Sequence, residues 1–117
     1  MRSNNIKLKI MKTMTFNAPI INLKEGVQGP ITDEMRLVAN FISIVWKIKL
    51  NKQLTITSMQ DGVHMKGSKH YEGKAIDIRN RDLSETEKAS MMKCLKEILT
   101  ECDVIQEKDH IHIELKK

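Results

Sequence analysis

An α+β domain, with a mostly antiparallel sheet and helices on one face, is the fold this sequence predicts. Three observations lead there. Residues 35–48 and the stretch from Ser84 to about Thr100 carry apolar side chains at helical spacing. Residues 74–79 (KAIDIR) and 110–115 (HIHIEL) alternate apolar and polar residues, as half-buried strands do. The resulting order, helix, strand, loop, strand, helix, strand, strand, suits a sheet with helices segregated to one side. With 117 residues the chain suffices for a single domain, spanning residues 1–117.

Residues 4–16 mix alternating and irregular polarity (Ile6, Leu8, Ile10) and predict a strand or an arm, so that residues 1–30 read as an N-terminal arm ending in a loop marked by Pro19, Gly26, Gly29 and Pro30. Thr32 before Asp33 and Glu34 is a helix start. Met35, Val38, Ala39, Ile42, Val45 and Trp46 then form one stripe, with Leu37, Phe41, Ile44 and Ile48 on a neighbouring one. A helix apolar over so much of its circumference belongs at the centre of the core. Residues 54–58 (LTITS) predict a short strand. The glycine-bearing stretch 59–73 predicts a long loop, a length usually tied to function in a compact domain. Ser84 and Glu87 form a capping box that opens a helix running to about Thr100, with Ala89, Met92, Leu95 and Leu99 as its buried stripe. Residues 103–106 and 110–115 read as two strands joined by a charged turn.

Composition narrows the functional classes. The net charge is +5, but the lysines are dispersed, as in Lys7, Lys9, Lys12, Lys47, Lys49 and Lys52. Such a surface gives mild attraction to anionic polymers. No basic stretch is interleaved with aromatics, which make up 3% of the chain, so nucleic acid is not the expected partner. Cys94 and Cys102 form no C-x-x-C pair and read as two small apolar residues. Lys7, Lys9 and Lys12 break every apolar run before a signal-peptide core can form, and no stretch approaches the roughly 18 apolar residues of a membrane span. The expectation is synthesis in the cytoplasm without a signal peptide, so that action outside it requires delivery by another route.

The chemistry lies in the two alternating strands. Ile76 and Ile78 share one face of KAIDIR, and Ala75, Asp77 and Arg79 the other; in HIHIEL, Ile111, Ile113 and Leu115 oppose His110 and His112. With the isoleucines in the core, the aspartate and the histidines are left on the exposed face of the sheet. If the strands are antiparallel neighbours, opposed Cβ atoms lie about 5 Å apart, and Asp77 and His112 reach one ion. His70 lies seven residues before Asp77, in the loop feeding that strand. Two imidazoles and one carboxylate suit one zinc ion and leave a fourth position open, the mark of a catalytic site.

Residues 68–77 read Ser68-Lys69-His70-Tyr71-Glu72-Gly73-Lys74-Ala75-Ile76-Asp77, or S-x-H-x-x-G-x-A-x-D. This resembles the signature of the D-alanyl-D-alanine carboxypeptidase and L-alanyl-D-glutamate endopeptidase superfamily of zinc metallopeptidases, which includes many phage endolysins and shares its fold with the Hedgehog signalling domain. Five identities at fixed spacing arise by chance in roughly one chain of this length in ten thousand or fewer. The resemblance covers residues 54–115. It implies that His70, Asp77 and His112 are the zinc ligands and that the substrate is a peptide stem of bacterial peptidoglycan, cut by a phage lysis or virion enzyme.

By the same resemblance, the general base lies a few residues before the last ligand. Glu107 ranks first for reach and Asp109 second, and His110 lies on the face of His112, placed to hydrogen-bond the base or the intermediate. Strand parity points Glu107 away from the site unless the turn at Lys108 and Asp109 resets it. Ser68 is assigned to the loop, to a ligand or to a substrate carboxylate. Many members of that superfamily carry an arginine shortly after the strand matching LTITS, whereas this chain has Ser58-Met59-Gln60-Asp61; Arg79 and Arg81 are the candidates to substitute for it. His64 and Tyr71 are candidates for the cleft wall. The rival reading is a non-catalytic, zinc-containing binding or virion-structural module on the same fold.

Overall fold

The computed structural model describes residues 21–62, 64 and 66–117. The strand or arm expected in residues 4–16 lies outside them. The elements are β1 (Asn22–Leu23), α1 (Asp33–Leu50), β2 (Thr55–Ser58), β3 (Ala75–Arg79), α2 (Glu85–Ile98), β4 (Cys102–Gln106) and β5 (His110–Leu115).

Local chemistry sets the helix ends. Thr32 caps α1, its hydroxyl accepting from the Met35 amide at 3.1 Å, with Asp33 and Glu34 in the first turn where the helix dipole favours them. Ser84 and Glu87 close the expected capping box on α2, each side chain accepting from the other's backbone amide. That helix stops at Ile98, two residues short of the expected end, with Leu99 as its C-cap.

The five strands form one sheet in the order β1-β2-β3-β5-β4. It is mixed: β1 pairs with β2 in parallel, and the other three pairings are antiparallel. Between β3 and β5 the register sets Ile76 opposite Ile113, Asp77 opposite His112 and Ile78 opposite Ile111. All four isoleucines are fully buried and belong to one hydrophobic cluster with residues from both helices. The apolar sheet face is thus the face the helices cover.

Three expectations of burial need correction. On α1 the main stripe is buried, but in the neighbouring one only Ile44 is; Leu37 and Ile48 are exposed and Phe41 is half-buried. The middle turn, Ile42 to Trp46, is buried all round, whereas nearer the ends the helix packs by one face and leaves Leu37 and Ile48 to solvent. On α2 the buried residues are Met91, Cys94, Leu95 and Ile98, while Ala89 is exposed and Met92 half-buried. Two apolar stripes overlap in this helix, and the one buried has complete i, i+3, i+4, i+7 spacing and more apolar surface than one starting from alanine. Finally, the opposite face of the sheet is not exposed where it matters. Ala75 and Asp77 are buried, because the segment between β2 and β3 folds over them.

That segment is pinned at Gly73. Its φ is +72°, and a Cβ there would stand 2.9 Å from the Pro30 carbonyl oxygen. The Gly73 carbonyl accepts from the Thr32 amide at 2.9 Å, joining the loop to the α1 cap. Glycine is needed here for its left-handed conformation and for the close approach. Cys94 and Cys102 are free and buried; burial pushes the Cys102 thiol up to about 11, so both act as small apolar residues.

Ile76→Ala should cost about 2–5 kcal/mol, as expected for a truncated core isoleucine. Leu37→Ala, at 60% exposure, should change stability by no more than about 0.5 kcal/mol. Urea unfolding of the two variants checks the burial assignment; equal losses would contradict it.

Candidate metal centre

Three side chains converge on the sheet face away from the helices. Asp77 comes from the middle of β3, His112 from the directly opposed position on β5, and His70 from the loop above. His70 Nε2 lies 3.3 Å from Asp77 Oδ1 and 3.2 Å from His112 Nδ1, and His112 Nδ1 lies 2.9 Å from the same carboxylate oxygen. Ligands about 2.0–2.1 Å from a tetrahedral zinc are about 3.3 Å apart. The triangle is therefore close to the size that one such ion requires, and the three residues form a cluster that can hold a metal ion.

The remaining ring nitrogens are also engaged. His70 Nδ1–H donates to the Met59 carbonyl at 2.6 Å, which leaves Nε2 as the ligand atom. His112 Nε2–H donates to Glu114 Oε1 at 2.8 Å, which turns Nδ1 toward the cluster. An oxygen acceptor behind each ligating imidazole is the arrangement that fixes tautomer and ring orientation at metal sites. Glu114 is in turn held by Lys69, 3.9 Å away, whose ammonium also donates to the Leu115 carbonyl.

Without metal the cluster is held by charge. Burial pushes the Asp77 carboxyl up, but hydrogen bonds from His112 and His70, with the charges of His70 and His110, outweigh it and hold the group well below the usual carboxylate range. The hydrogen bond to Asp77, opposed by burial and assisted by Glu114, pushes His112 up to about 9. A metal ion bound at Nδ1 of His112 would take the place of that proton.

The cluster opens into a cleft of about 570 Å³ whose lining includes Ser68, Glu107, His110, Glu114 and His64. Glu107 does face it, because residues 107–110 form a tight turn, closed by the Glu107 amide donating to the His110 carbonyl at 2.9 Å. The turn resets the strand parity. Glu107 Oε2 lies 3.9 Å from His110 Nε2, which is 3.7 Å from Asp77 Oδ2. Asp109 instead binds His110 Nδ1 at 2.8 Å and lines an adjoining cavity, so it orients the imidazole from behind. Ser68 accepts from the His70 amide at 3.2 Å and so shapes the loop that carries this ligand. Arg79 shares the face of Asp77 but lines the adjoining cavity with Arg81, outside the metal cleft.

His64 stacks on His70, ring centroids 3.9 Å apart and planes within 9°. Tyr71 is exposed, and its hydroxyl clamps the His64 backbone by accepting from the amide and donating to the carbonyl. Two supports escaped sequence reasoning. Glu114 was readable, since it follows His112 by two positions on the same strand face. The Met59 carbonyl was not, because a backbone group leaves no mark in the residue string.

Two outcomes test the centre. Asp77, held low, stabilises the folded chain above about pH 4 and loses that contribution as acid protonates it. His112, held high, stabilises it below about pH 6.5 and loses the contribution as pH rises through about 9. Metal-free protein should therefore melt at progressively lower temperature from about pH 6.5 toward pH 9, while zinc, which needs His112 without its proton, should raise the melting temperature more at about pH 8.5 than at about pH 5.5. Scanning fluorimetry with and without zinc at both pH values measures this, and an equal zinc shift at both would exclude His112 as a ligand. Glu114→Ala should weaken zinc binding about 10–100-fold, read by competition with a chromophoric chelator.

No family model matches the chain and no curated protein is found to be similar to it, so the geometry of this cluster is the ground for a functional reading.

Proposed function

We propose that this chain is a zinc-dependent peptidase that hydrolyses peptide stems of bacterial peptidoglycan, of the carboxypeptidase or endopeptidase type used in phage lysis or carried on virions. The observation that carries this reading is the three-atom cluster of His70, Asp77 and His112, sized for a tetrahedral ion and opening onto a cleft that also presents Glu107 and His110. The S-x-H-x-x-G-x-A-x-D pattern and its resemblance to wall-peptide metallopeptidases supply the substrate class. The choice of zinc follows from the donor set, two imidazoles and one carboxylate with a position left for substrate or water.

A zinc ion held there supplies a Lewis acid that polarises an amide carbonyl and activates water. The protein's own groups manage the protons. Glu107 takes the proton of the attacking water at a carboxylate oxygen and returns it to the departing amine. Asp109 holds Nδ1–H of His110, whose Nε2 faces the cleft and hydrogen-bonds the oxygen that gains charge in the transition state. Ser68 acts through the His70 loop and takes no part as a nucleophile, since the neighbouring imidazole is committed to the metal cluster.

A non-catalytic zinc-bearing module is the second reading. It is favoured by the exposure of Glu107, whose side chain is 49% accessible, and by the lack of an arginine directly after β2.

Incubation of the zinc-loaded protein with purified sacculi distinguishes the two. New amine termini should appear, His112→Ala should abolish their release, and Glu107→Gln should lower the rate about 10²–10⁴-fold while retaining zinc. Mass spectrometry of the fragments identifies the bond. Hydrolysis that survives complete removal of zinc would overturn the reading, and zinc binding without hydrolysis would leave the structural module.

A further inference from the structure

The two oxygens of Asp77 meet different imidazoles. Oδ1 lies 3.3 Å from His70 Nε2 and 2.9 Å from His112 Nδ1, whereas Oδ2 lies 3.7 Å from His110 Nε2. His110 precedes His112 by two residues on β5 and so shares its face. Glu107 returns to it across the tight turn, with Oε2 3.9 Å from the same nitrogen. Two carboxylates and one imidazole therefore stand beside the three-atom cluster, and both groups line the one cleft.

His110 is prepared as a ligand in the way the other two histidines are. Its Nδ1–H donates to Asp109 Oδ1 at 2.8 Å, so the neutral ring keeps its lone pair on Nε2, toward Asp77 and Glu107. The Met59 carbonyl and Glu114 take the outer ring hydrogens of His70 and His112 in the same fashion. Imidazole with carboxylates is a donor set that suits zinc better than the hard, oxygen-seeking calcium or magnesium. The second group is looser than the first. Its spans of 3.7 and 3.9 Å must each close by roughly half an ångström to fit a tetrahedral zinc, and Glu107, 49% accessible, has the freedom to move. Two cations sharing one carboxylate also repel each other, which weakens the second.

We propose that Asp77 Oδ2, Glu107 and His110 form a second, weaker zinc site, joined to the first through the Asp77 carboxylate. The site itself stands on this geometry. Its effect rests on the peptidase reading, which it deepens by giving the cleft a regulator. An ion held there occupies the Glu107 oxygen that takes the proton of water and the His110 nitrogen that faces the cleft. Excess zinc therefore switches off the hydrolysis that the first zinc supports, and the chain is active only within a window of zinc concentration.

The experiment titrates the full-length protein with zinc alone. Equilibrium dialysis counts the bound ions, NMR of the imidazole nitrogens reports which rings they reach, and amine release from sacculi follows turnover in parallel. Wild type should bind one zinc tightly and a second about 10²–10⁴-fold more weakly. The second equivalent should shift His110 Nε2, and amine release should fall over the same range of zinc concentration. Glu107→Gln and His110→Ala should each weaken the second equivalent at least about tenfold and leave the affinity for the first unchanged. Calcium in large excess should not displace the second zinc.

Absence of a second bound zinc up to about 1 mM, an undiminished second equivalent in either variant, or a second equivalent that leaves His110 Nε2 unshifted would each overturn the site. Displacement by calcium would overturn its assignment to zinc, and turnover unaffected by the second ion would overturn the regulation. The two readings fail separately. Two zinc ions bound in this way without hydrolysis at any zinc concentration would retain the site and remove the peptidase, whereas hydrolysis by a chain that takes up a single zinc would do the reverse.

Discussion

The pairing of β3 with β5 sets Asp77 opposite His112, and the metal cluster depends on that register. The polar pair does not choose it unaided. Ile76 faces Ile113 and Ile78 faces Ile111 on either side, and all four side chains are fully withdrawn from water. Burying such side chains stabilises the fold by about 1.5–3 kcal/mol each. A slip of one residue would turn one strand's isoleucines outward and carry its metal-facing side chain into the core. The hydrophobic interior thus holds two ligands in position, and the site inherits the rigidity of a packed sheet.

The third ligand comes from the loop, and the loop is tied at both ends. Near β2, the Asp61 carboxylate accepts from the amides of Gln28 and Met59, and Met59 in turn presents its carbonyl to His70. Near β3, Gly73 packs against Pro30 and bonds Thr32 at the start of α1. A register shift between Ile56 and Ser58 brings Ser58 opposite Asp77, and the Ser58 hydroxyl donates to the Asp61 carbonyl. These ties cost conformational freedom, but they spare His70 from ordering itself when an ion arrives. They also bury Asp77, which strengthens each charge interaction around it.

The rim of the cleft has a different character. Glu107 and Asp109 sit in and beside a tight hairpin turn and are exposed, whereas the ligands below are buried or nearly so. Buried side chains that can hold an ion under solvent-facing carboxylates are the arrangement that the proposed acid–base role of Glu107 requires. In the same turn the Asp109 carboxylate orients Nδ1 of His110, whose ring lines the cleft.

Alternation in KAIDIR and HIHIEL assigned the faces of β3 and β5, because strand parity is a property of neighbouring residues and survives any packing. The helix caps at Thr32 and Ser84 were legible for the same reason, each being a contact across three residues. The ten-residue pattern from Ser68 to Asp77 located a candidate cluster, but bringing His70 Nε2 within 3.3 Å of Asp77 Oδ1 required the fold. The choice between two stripes on α2, the outer side of α1 and the covering of Asp77 depended on which surfaces meet, a long-range matter that local periodicity leaves open. The direction of Glu107 was decided by turn geometry. Residue order determined which groups share a face; only the tertiary structure decided what covers that face, because burial is set by the whole chain at once.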